Sequence, residues 1–190
     1  MSVATTTLLW RALAAAAGLL AAALYVQARM PQHMLAHLLL SLIVPPLTLL
    51  GLPGWRPRVP AGLGFLALAS VTVVSHLPLA LRTVDAHPWL LLPEGAAFLG
   101  AGLLFALALW PATTGALAAT VAQMAVCALT GAWVAYGAAG QQMGTQGVAA
   151  GVLMWVGGGL TYSLAALWII SRLVAREGNE GGARHAHTSP

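Results

Sequence analysis

The chain has 190 residues, of which 59% are hydrophobic and 6% are charged, against about 25% charged in an ordinary soluble domain. Its charged side chains, 8 Arg with no Lys and 4 acids, are too few to cover a water-exposed surface, which excludes a soluble enzyme, a secreted disulfide scaffold and a disordered chain. The net charge of +4 is scattered without a basic stripe, so no nucleic-acid partner is expected, and the single Cys127 permits neither an internal disulfide nor a CxxC site.

A bilayer core of about 30 Å requires about 20 apolar residues in helix. Six stretches qualify, near 8–27, 33–52, 61–81, 89–110, 116–138 and 147–171. The links between them are short and rich in Pro, Gly and Arg, as at helix ends in a headgroup region. Ala and Leu dominate and no barrel-type alternation is present. The expected fold class is therefore all-α, a polytopic transmembrane helical bundle of about six spans surrounded by membrane lipids. Residues 1–172 make the membrane domain. Residues 173–190 form a polar tail containing Gly178-Asn179-Glu180-Gly181-Gly182, expected to lack fixed structure.

The first stretch has two signal-peptide features, an apolar core and small residues near Val26-Gln27-Ala28. Its apolar run is long for a signal and Arg11 alone stands before it, so it is read as a membrane helix. With six spans, Arg11, Arg56, Arg58, Arg172, Arg176 and Arg184 share one side, and Arg29 and Arg82 the other. The excess of arginine predicts that both termini are cytoplasmic and that links 28–32, 82–88 and 139–146 face outward. Trp10, Trp55, Trp89, Trp110, Trp133 and Trp168 fall mostly near span ends, as interface anchors do.

In the first span, Ala14 to Ala17 are small enough for close helix packing, as are Gly100-Ala101-Gly102 in the fourth and Gly157-Gly158-Gly159 in the last. In the second span, Pro45-Pro46 deprives the carbonyls of Ser41 and Leu42 of their N–H partners and predicts a kink. That kink serves packing or shapes a cavity above it.

Polar groups inside a membrane are costly and are candidates for function. His33 and His37 are four residues apart, which sets both imidazoles on one helical face. Met30 and Met34 are placed on the same arc, and thioether beside imidazole suits copper, Cu(I) above all. His76 closes the third span and His87 lies in the following link, so all four histidines are expected near the outer interface, with Met143. The competing reading is interfacial histidines bonded to backbone or headgroups. Asp85 is expected to pair with Arg82 at the surface. Glu94, inside the fourth span, is assigned to orient a histidine ligand through its N–H; proton acceptance or a lipid amine are alternatives. Gln123, Gln141, Gln142 and Gln146 are polar without ionising, and Gln123 is a candidate bridge between helices. His185 and His187 belong to the solvated tail. No GxSxG and no phosphate-cradling loop is present.

Several runs resemble one family when taken in order. They are Met30-Pro-Gln-His33-Met34-Leu-Ala-His37, Val44-Pro45-Pro46 through Gly51-Leu-Pro53, Ser75-His76-Leu77-Pro78, His87-Pro88, Phe105 to Trp110-Pro111, and Gly151-Val-Leu-Met154-Trp155-Val156 through Tyr162. Together they are similar to the CtaG-type cytochrome c oxidase assembly factors, over roughly residues 30 to 172. The chain departs from that pattern at Leu91 and Gly95, where further histidines are typical, at Gln146 for an acid and at Gly157 for a proline. It also has six spans where seven are common.

The resemblance implies a multi-pass protein of the bacterial plasma membrane that helps to build a haem-copper oxidase. Its partners would be oxidase subunits, its cargo copper, and it would not itself be an enzyme. The expected metal set is His33, His37, His76 and His87 with Met30 and Met34, and Glu94 behind them. Two alternatives are a structural or accessory subunit of a respiratory oxidase with no metal of its own, and a haem-binding cytochrome with His37 and His76 as axial ligands.

Overall fold

The computed structural model describes residues 3–27, 29–137 and 143–187, with side chains as far as Glu177 in the last segment. Gln141 and Gln142 lie outside the described residues, as do the side chains of His185 and His187. Among the described residues every regular element is helical. In chain order these are α1 (Val3–Tyr25), α2 (Met30–Leu38), a π-helical turn (Leu39–Ile43), α3 (Val44–Leu50), α4 (Ala61–Ser75), α5 (Pro78–Ala86), a 3-10 turn (Pro88–Leu90), α6 (Leu91–Leu109), α7 (Thr114–Tyr136) and α8 (Thr145–His187).

Five helices are long and apolar enough to cross a membrane: Val3–Tyr25, Met30–Leu50, Pro88–Leu109, Thr114–Tyr136 and Thr145–Glu177. A sixth span exists if α4 and α5 are taken as one broken element, bent by 68°. The all-helical architecture with helices apolar enough to cross a membrane is thus present, but the third apolar stretch is not the continuous 61–81 expected from hydropathy. The cause is Pro78. It sits at the N-terminus of α5, and Leu77 before it is held extended at φ −64°, ψ 142°, because the proline ring disfavours helical backbone in the preceding residue. α4 therefore stops at Ser75 with His76 as its cap. α5 turns away with no buried residue. α8 is helical in its backbone to His187.

The proline pair acts one turn earlier than itself. Pro45 and Pro46 have no N–H for the carbonyls four residues back, and the chain widens there into a π turn in which the Val44 N–H bonds to the Leu39 carbonyl. The Ser41 hydroxyl donates to the His37 carbonyl at 2.7 Å. The widened turn presses against α6 at Gly102, where a Cβ would overlap the Ser41 backbone.

α7 and α8 form the most extensive helix pair, α4 packs on α6 and α7, and α2 packs on α8. Small residues make these approaches possible: Gly131 of α7 faces the Gly151 backbone of α8, and Gly158 meets the Cys127 side chain. Two of the expected small-residue runs are only partly used. Gly102, Gly157 and Gly158 have close neighbours, whereas Gly100 and Gly159 face open space. Ala15 and Ala16 are exposed, because α1 is peripheral and packs chiefly on α2 and α3. The main core runs through Met34, Leu68, Phe105, Cys127, Met154 and Tyr162.

The two ends of the bundle differ in chemistry. At one end, Arg11 Nε donates to the Gly51 carbonyl at 2.8 Å. Arg176 reaches the Ala112 carbonyl at 3.3 Å, and the Arg56 guanidinium lies 4.2 Å over the Trp110 ring. At the other end, Tyr25, His33, His37, His76 and Glu94 come together.

Candidate metal centre

α2 carries His33 and His37 on one face, and their rings meet at a centroid distance of 4.4 Å. α6 supplies Glu94 in its first turn. Its carboxylate stands 3.3 Å from His33 Nε2 through Oε2 and 3.5 Å from His37 Nε2 through Oε1. One ligand atom from each of these three residues lies within 4.8 Å of the others. Two donors about 2.0–2.1 Å from a tetrahedral ion lie about 3.4 Å apart, so both contacts have the span of ligand pairs around one ion.

These contacts have the length of ion pairs but not the alignment of hydrogen bonds. His33 Nε2, both ring nitrogens of His37 and Glu94 Oε2 are buried with no hydrogen-bond partner. Such groups are costly in an apolar surrounding. One donor atom from each of the three residues converges here, and these buried, unpartnered groups form the polar set that a cation would satisfy. Phe98 stacks on His37 at 3.8 Å. Tyr25 from α1 stands edge-on to His33 at 5.0 Å and to His37 at 5.6 Å. The aromatic wall fixes the imidazoles and keeps water from one side.

On its other side the cluster opens. A cavity of about 610 Å³ borders His33 and is lined by Arg29, Met30, Asp85, Met143 and Gln146 among others. It forms a mouth from the end of the bundle to the first ligand.

The expected metal residues are not all brought to one point. His33 and His37 converge, and Glu94 joins them as a potential ligand in its own right. Met30 lines the mouth. Met34 does not share the arc of the histidine pair; it is 1% exposed and its Sδ lies 3.0 Å from His76 Nε2. His76 is 5.4 Å from His37 by ring centroids and its Nδ1–H donates to the Thr72 carbonyl at 2.6 Å. His87 is exposed and bonds within its own helix, Nδ1 to the Thr83 carbonyl at 3.2 Å. Arg82 likewise bonds within α5, to the Pro78 carbonyl at 3.3 Å. Gln123 is fully buried and donates to Thr72 Oγ1 at 3.4 Å, tying α7 to α4.

Sequence reasoning passed over Tyr25 and Phe98, whose ring contacts depend on tertiary packing alone. A haem between His37 and His76 does not fit the space. Phe98 covers one face of His37, and the cavity that His37 and His76 line holds about 20 Å³.

No family model matches the chain, and neither a curated protein nor a solved structure matches it.

Proposed function

We propose that this chain is a membrane-embedded copper-handling factor that serves the assembly of a haem-copper oxidase. Cargo copper is held by His33, His37 and Glu94, and the protein performs no turnover chemistry. The observation that carries the metal reading is the convergence of the two imidazoles and the carboxylate, with His33 Nε2, the His37 nitrogens and Glu94 Oε2 buried and without hydrogen-bond partners. Imidazole nitrogen suits copper as it suits zinc, and the ordered run of motifs from His33 to Tyr162 supports copper and the oxidase client through its resemblance to CtaG-type factors. Positive residues favour the cytoplasm. The arginine-rich end is accordingly assigned to that side of a bacterial plasma membrane, with both termini, and the metal centre to the outer face. The mouth at His33 then opens where an oxidase subunit exposes an unfinished copper site.

The test pairs two measurements on full-length protein. Purified protein in detergent is titrated with Cu(II) and Cu(I), and cells carrying His33→Ala with His37→Ala are assayed for oxidase activity and oxidase copper content. The expected result is loss of high-affinity Cu(II) binding in the double variant together with an inactive, copper-poor oxidase. Intact oxidase activity in the double variant would overturn the reading. Stoichiometric retention of the chain on the finished oxidase would favour an accessory subunit instead.

A further inference from the structure

A second group of donors lies one layer deeper than the His33–His37–Glu94 cluster. His76 caps α4 because Leu77-Pro78 ends that helix, and its Nδ1–H is committed to the Thr72 carbonyl at 2.6 Å. A carbonyl can only accept, so the proton is on Nδ1 and the lone pair of a neutral ring is on Nε2. That lone pair faces Met34 Sδ at 3.0 Å. A thioether has no proton to give. Two lone-pair donors, 2% and 1% exposed by residue, therefore face each other without a hydrogen between them.

The space beside them is small and soft. A cavity of about 20 Å³ is lined by Met34, His76, His37, Cys127 and Met154 among others. The Cys127 thiol already donates to the Met154 carbonyl at 3.3 Å. His37 offers two ring nitrogens that have no partner. The volume is that of one ion or one water. Thioether beside imidazole is the donor pair that selects a soft monovalent ion. Metal distances of about 2.0 Å to nitrogen and about 2.3 Å to sulfur, with the observed separation, place an ion at an angle of about 90° between the two donors.

We infer that the bundle contains a second metal site, specific for Cu(I)-like soft ions, formed by His76 Nε2 and Met34 Sδ. His37 borders both this site and the outer one. The outer set is two imidazoles and a carboxylate, a choice compatible with divalent ions; the inner set replaces the carboxylate by sulfur. The two sites are stacked along the bundle, the outer beside the mouth and the inner in the core. The inner site does not depend on Glu94, so it stands or falls separately from the proposed copper-handling role.

The experiment uses full-length protein in detergent, titrated with Ag(I) as a redox-inert soft probe and with Zn(II) as a divalent probe, each against a competing chelator. Wild type is expected to bind one more equivalent of Ag(I) than of Zn(II). Met34→Leu, close in volume, is expected to lose one Ag(I) equivalent and to keep its Zn(II) affinity within about 3-fold. Glu94→Gln is expected to weaken Zn(II) by at least about 10-fold and to keep the inner Ag(I). Unchanged Ag(I) stoichiometry in Met34→Leu overturns the inner site and leaves the outer reading intact. Retained inner Ag(I) with no divalent binding in wild type sinks the outer reading and leaves the inner site. If Met34→Leu does not assemble, selenomethionine-labelled wild type loaded with Cu(I) supplies the answer. A copper neighbour at the selenium absorption edge supports the site, and its absence overturns it.

Discussion

Gly100 and Gly102 are two residues apart on α6 and meet opposite surroundings. A Cβ on Gly102 would run into the Ser41 backbone, whereas one on Gly100 meets nothing within 4 Å. Gly102→Ala is expected to cost about 1–3 kcal/mol, the range for forcing a methyl group into a packed contact, because the obstruction is backbone and has no rotamer to escape into. Gly100→Ala should be neutral or stabilising by up to about 1 kcal/mol through helix propensity. Unfolding of the two variants in mixed detergent micelles checks the contrast; equal effects would mean that the π turn does not lie against Gly102. At the metal centre the i, i+4 spacing made the His33–His37 pair legible in the sequence, since helical geometry alone sets those rings side by side. The place of Met34 was not legible. One residue after His33 on a helix is a turn of about 100°, which carries its sulfur off the histidine face and toward α4. Glu94 was visible as a costly intramembrane acid. Its proximity to both imidazoles depends on how α6 packs against α2, which no local pattern encodes.

At the scale of the element, the break between α4 and α5 shows how hydropathy and backbone chemistry can disagree. Residues 61–81 are apolar enough to read as one span, yet Leu77-Pro78 ends the helix and positions His76 as a cap facing Met34. Pro78→Ala restores an N–H and frees Leu77 to adopt helical backbone. The expected outcome is a straighter α4–α5 and a displaced His76. Spin labels on the exposed Val73 and Thr83 would then move apart, toward the roughly 15 Å that ten helical residues span, and Ag(I) retention would fall with them. An unchanged label distance would show that tertiary packing, not Pro78, makes the bend. The π turn was half legible: Pro45-Pro46 predicted a distortion, but a kink and a widened turn differ only in where the extra residue goes. That choice is made by the glycine opposite, which leaves room for the Ser41 backbone.

For the whole molecule, composition and the lack of strand alternation pointed to apolar helices of spanning length, because twelve charges among 190 residues cannot cover a water-exposed surface. The gathering of Arg11, Arg56 and Arg176 at one end also follows from counting spans. The side of the membrane on which they lie is tested by labelling. Cys127 is buried, so single cysteines introduced at Pro57 and at Thr83 report with little background. A membrane-impermeant maleimide applied to intact cells is expected to label Thr83→Cys and spare Pro57→Cys; the reverse pattern would invert the proposed orientation. The guanidinium contacts have a further result. Arg11 fastens α1 to the end of α3 at Gly51, Arg176 fastens α8 to the turn after α6 at Ala112, and Arg56 clasps Trp110, so three contacts rivet four stretches of chain together at that end. Arg82, at the other end, bonds among the described residues to its own helix, at the Pro78 carbonyl. The molecule is thus built like a vase with a fired foot and a looser lip at α5, which buries no residue of its own. Amide protons of Leu52 and Ala112 should exchange more slowly than those of Thr83 and Ala86, and heating should loosen the lip first.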